Sequence, residues 1–94
     1  MSIEAVRLAV ERMHGCRAVH VSTVPVKEAF DGQTVWEGEV EIFNVTGHPR
    51  AFQCYAWAYQ DDEGRTQYTA VLRLPPVQSA QDAVKAAIRA QVKK

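Results

Sequence analysis

The sequence predicts a small α+β domain: a four-stranded antiparallel sheet with two helices on one face, in the order α-β-β-β-β-α. Three observations predict it. Apolar residues recur at helical spacing only near the two ends of the chain. Between those ends, period-two alternation returns four times in runs rich in β-branched and aromatic residues. The gaps between the runs carry turn chemistry: Asp31-Gly32, Thr46-Gly47-His48-Pro49 and Asp61-Asp62-Glu63-Gly64. Two amphipathic helices suffice to cover one face of four strands. The 94 residues form one domain, 1–94.

The first helix runs from Ser2 to His14. Ile3, Val6, Val10 and Met13 make its stripe, with Ala9 between them. Ser2 suits the cap, and Gly15 suits the left-handed stop. Ala18 to Phe30 reads as the first strand. Val19 and Val21 share one phase, and Val24 and Val26 share the other. We expect a bulge or break at the switch, near Pro25, and an edge position.

Thr34 to Val45 is the second strand. Trp36, Gly38, Val40 and Ile42 share one face; Glu37, Glu39 and Glu41 share the other. Ala51 to Gln60 is the third strand. It sorts Phe52, Cys54, Ala56 and Ala58 from Tyr55, Trp57 and Tyr59. Thr66 to Leu74 is the fourth strand, and Pro75-Pro76 ends it. The closing helix runs to about Val92, with Ser79 as its cap and Asp82 in its first turn. Its stripe is Ala80, Val84, Ala87, Ile88 and Val92, and Lys85, Arg89 and Lys93 step along another face.

A five-residue turn at 46–50 pairs Ile42 with Cys54 and Val40 with Ala56. It sets Glu41, Glu39 and Glu37 beside Tyr55, Trp57 and Tyr59. The open face of the sheet is therefore expected to be acidic and aromatic, with Arg73 at its border.

Charge is balanced in total and uneven along the chain. Residues 28–63 carry Glu28, Asp31, Glu37, Glu39, Glu41, Asp61, Asp62 and Glu63 against Arg50 alone, a net of −7. Residues 64–94 are basic, with a net of +5. Such asymmetry directs association. No apolar run approaches the ~20 residues that span a bilayer, so no membrane insertion is expected. The N-terminus has no export-signal pattern, so a cytoplasmic location and reduced Cys16 and Cys54 are the expectations.

The contact surface predicted is Glu37, Glu39, Glu41, Tyr55, Trp57, Tyr59 and Arg73. Aromatic faces attract cations, and neighbouring carboxylates reinforce the attraction. The function expected is non-covalent association without catalysis, as a homodimer or as an accessory subunit with a protein partner. A cationic peptide or small cationic ligand suits the same face, and no cofactor is expected. The alternative reading is a small enzyme or ligand-binding protein, with its site on the open sheet or near Cys16. There His14 and Arg17 are placed to lower the thiol pKa. His14, Cys16 and His20 do not follow a strong zinc spacing. The stripe Lys85, Arg89, Lys93 and Lys94 offers contacts to phosphate, but nucleic-acid binding by the sheet is disfavoured by its glutamates.

Overall fold

The computed structural model describes residues 3–92; Ser2, Lys93 and Lys94 lie outside them, as do the side chains of Phe30, Gln91 and Val92. The elements are α1 (Ile3–His14), β1 (Arg17–Phe30), β2 (Gln33–Thr46), β3 (Gln53–Gln60), β4 (Thr66–Leu72) and α2 (Ala80–Val92). The four strands form one antiparallel meander in the order β1-β2-β3-β4. The α+β class and the element order are those the sequence predicts. Among the described residues, no helix is long and apolar enough to cross a membrane.

The helices do not share a face. Val6 and Val10 of α1 pack with Ala18, Phe43, Val45, Cys54 and Ala56. Ala80, Ala83 and Val84 of α2 pack with Val26, Val40, Tyr55 and Trp57. Cys54 and Tyr55 are consecutive in a strand, so the two clusters lie on opposite sides of the sheet. Complementary sizes explain the choice. Small Cys54 and Ala56 admit the valines of α1, whereas the alanines of α2 admit Tyr55 and Trp57. Each fully buried large side chain, such as Phe43, contributes roughly 1.5–3 kcal/mol.

The cause of the difference is register. Ile42 pairs with Tyr55, and Phe43 pairs with Cys54. The expected pairing of Ile42 with Cys54 is one residue away, and a one-residue slip exchanges the faces of a strand. The turn is longer than five residues. His48 Nδ1 accepts hydrogen bonds from the backbone of Arg50 (3.0 Å) and Ala51 (3.1 Å), drawing both into the turn. Pairing resumes where Val45 N donates to Phe52 O at 2.9 Å.

Local signals hold at the other joints. Asp31 and Gly32 both have positive φ, 52° and 76°, as a two-residue hairpin turn of the favoured hand requires. Gly15 (φ 59°) stops α1, its amide donating to Glu11 O at 2.9 Å. Ser79 Oγ caps α2 by accepting from Asp82 N at 3.1 Å. Gln81 Nε2 donates to Lys27 O at 3.1 Å and also meets the Glu28 carboxylate, tying α2 to the far end of β1. The phase switch in β1 comes from a bulge between His20 and Ser22, and the strand continues through Pro25.

The outer edges are blunted. On β1, Pro25 removes a donor and two bulges interrupt the ladder. On β4, Arg73 N donates to Gln53 O, so Arg73 and Gln53 form a hydrogen-bonded pair. By alternation, Ala70 and Leu72 then point their backbone groups outward. His14 Nε2 lies 3.1 Å from Ala70 O, which accepts its hydrogen, and Leu74 N bonds Leu72 O at 2.9 Å.

One gap remains inside the sheet. On the side away from the His48 turn, the pairing of β2 with β3 ends at Glu41–Ala56. Beyond that, the arm Gln33–Val40 has only β1 beside it, and Trp57–Gln60 has only β4. The hairpins diverge around two tryptophans. The Trp36 indole crosses Gly38, and it meets Trp57 edge-on with centroids 5.4 Å apart.

Candidate functional site

The arm of β2 presents its carboxylates on the α1 side of the sheet. Glu37 and Glu39 are exposed, and Glu41 is partly buried. Glu41 is fixed: its Oε1 accepts from His20 Nε2 at 2.8 Å and from the Thr23 hydroxyl. Thr23 Oγ1 lies 3.3 Å from the same ring nitrogen, and the His20 ring stands edge-on to Phe43. This network spans the β1–β2 hairpin, where Thr23 faces Glu41 directly. Sequence reasoning missed it. Counting back from Asp31-Gly32 places Thr23 opposite Val40; the bulge between Glu28 and Ala29 moves it opposite Glu41, and neither that bulge nor the one beside His20 leaves a sequence signal.

Beside the carboxylates lies a cleft of about 370 Å³, lined by Ile3, Val6, Gly38, Glu39, Glu41, Trp57 and Ala58. It occupies the gap between the diverging hairpins. Its walls are apolar, from α1 and β3, and its rim carries two carboxylates. A shallower cleft of about 310 Å³ lies on the β1 side, between Pro25, Lys27, Glu37 and Glu39. Lys27 stands opposite Glu37 in the ladder, whereas uncharged Pro25 stands opposite Glu39, so no cation faces Glu39 across the hairpin.

The seven residues expected to share one face do not. Glu37, Glu39 and Glu41 lie on the α1 side. Tyr55 and Trp57 lie on the α2 side, only 3% and 4% exposed. Tyr59 continues their phase near the end of β3 and is 38% exposed. Arg73 follows β4, donating to Gln53 Oε1 at 2.9 Å, away from the acidic row. The exposed acidic–aromatic face is thus replaced by an acidic arm with one tryptophan reaching the cleft beside it.

The thiols are not activated. Burial raises the Cys16 pKa, and Glu11 nearby raises it further. Burial also pushes Cys54 up to about 12, with Cys16 adding to the shift. The expected lowering of Cys16 by Arg17 and His14 is therefore reversed. His14 is engaged with Ala70 O, His20 with Glu41 and His48 with its own turn. Among the described residues, no group of three or more His, Cys, Asp or Glu side chains converges as metal ligands would. Lys85 and Arg89 are exposed on α2.

Comparison with known proteins gives no match to a family model, to a curated protein or to a solved structure.

Proposed function

We propose that this protein is a non-catalytic association module that engages a cationic protein partner through the arm of β2. The observation that carries this reading is the juxtaposition of Glu39 and Glu41 with an apolar cleft of about 370 Å³. A carboxylate rim attracts a basic group and orients it, while apolar walls accept its aliphatic stem. Glu41 is braced by His20 and Thr23, so it is held in one geometry before a partner arrives. The raised thiol pKa values weigh against the alternative of an enzyme working at Cys16.

Titration calorimetry with short lysine-containing and glutamate-containing peptides tests the proposal. The lysine peptides should bind, with affinity falling as salt rises. The pair Glu37→Gln and Glu39→Gln should weaken binding without unfolding the chain, since both residues are exposed. Equal affinity for acidic and basic peptides would end this reading. A second reading has another copy of this chain as the partner, because exposed Lys85 and Arg89 on α2 are opposite in sign to the arm. It requires light scattering to show a mass that doubles at low salt and returns to monomer at high salt.

A further inference from the structure

We infer that the gap between the distal halves of β2 and β3 is a groove for an extended segment of a partner protein, one that alternates basic with small apolar residues. This inference rests on the association reading above and names the partner's chemistry.

The backbone comes first. In an antiparallel ladder, successive residues direct their amide and carbonyl to alternate neighbours. Val45 N donates to Phe52 O, so Val45, Phe43 and Glu41 direct theirs toward β3. Glu39 and Glu37 follow in the same phase. Pro25, opposite Glu39 on β1, agrees with it, because proline has no hydrogen to offer a ladder. The register with β3 ends at Glu41–Ala56. The main-chain groups of Glu39 and Glu37 therefore face the gap, where the cleft between Gly38, Glu39 and Ala58 leaves space. An added strand supplies the missing half of such a ladder.

Side chains choose the guest. Guest residues opposite Glu39 and Glu37 share their face, so a basic residue belongs at both. The guest residue between them, opposite Gly38, points to the other face. There the Trp36 ring crosses Gly38 and meets Trp57, which crowds that face and limits the guest to a small apolar side chain. The pattern is basic, small apolar, basic, running antiparallel to β2. None of this chain's own strands has two basic residues spaced by two, so a second copy does not supply the segment.

The test uses the wild-type protein and the peptide acetyl-Lys-Val-Lys-Val-Lys-amide. Three companions are a scrambled peptide of the same composition, one N-methylated at the lysines and one N-methylated at the valines. The alternating peptide should bind about tenfold more tightly than the scrambled one. Methylation at the lysines, whose amides face β2, should abolish the advantage; methylation at the valines, whose amides face away from β2, should cost less. Amide exchange at Glu37 and Glu39 should slow on binding, and Trp57 fluorescence should change. Equal binding of all four peptides would overturn the groove while leaving association with basic partners standing. Loss at the valines alone would overturn the antiparallel placement. Failure of every lysine peptide to bind would overturn both readings.

Discussion

Replacing Trp57 by alanine separates a core residue from a surface one. Trp57 is 4% exposed and packs against Trp36 within the cluster beneath α2. Truncating a buried tryptophan costs about 3–5 kcal/mol, from lost transfer energy and from the cavity left behind. The site borders an open cleft, so water can fill part of the space, and the lower end, about 3 kcal/mol, is expected. That is a large share of the 5–15 kcal/mol that holds most domains folded. For a domain of this size the melting temperature should fall by roughly 12–24 °C. Urea unfolding followed by far-ultraviolet circular dichroism and by the remaining Trp36 measures the loss directly. With a slope on the order of 1.5 kcal/mol per M, the midpoint should drop by about 2 M. Tyr59→Ala is the control, because Tyr59 is more exposed and should cost less than about 1 kcal/mol. A loss below about 1 kcal/mol for Trp57→Ala would refute the burial argument.

Three further outcomes are expected. Gly38→Ala places a Cβ 3.2 Å from Trp36 Cη2, so it should displace the indole and cost about 1 kcal/mol; unchanged near-ultraviolet dichroism would contradict the packing described. Cys54 has a raised pKa in the folded chain, so its contribution is complete below the unfolded thiol value near 8.5 and declines as pH rises toward about 12. Stability should fall between pH 9 and 11 more steeply in the wild type than in Cys54→Ala, and parallel profiles would argue against it. A double-mutant cycle of Thr23→Val with Glu41→Gln should show coupling of about 1 kcal/mol in urea unfolding, and additivity would deny the hydrogen bond its role.

The class and order of elements were readable because each rests on a local signal. Asp31-Gly32 and Gly64 mark turns with positive φ, and Ser79 marks a helix start. The layer arrangement was not readable, because it depends on the register of one joint. His48 looks like any turn residue in the sequence. Only in three dimensions does its ring nitrogen gather two amides and shift β3 by one place. That shift hides Tyr55 and Trp57 and leaves the glutamates on the opposite side. The acidic row itself was legible, since alternation within β2 does not depend on its neighbour. The Trp36–Gly38–Trp57 contact was not, because ring stacking across diverging strands has no spacing rule.

The guarded rims of the sheet have a consequence for crowding in concentrated solution. An exposed strand at the margin of a sheet acts as a seed on which further chains can stack into fibres. Here Pro25 and the bulge of β1 at Val21 spoil one margin, and the grip of His14 on Ala70 spoils part of the other. The unpaired stretch of β2 lies between two hairpins, beneath Trp36 and beside α1. Flanked by the protein's own hairpins, that stretch offers stacking chains no outer margin, so an unfinished ladder there is shielded from becoming a template for aggregation.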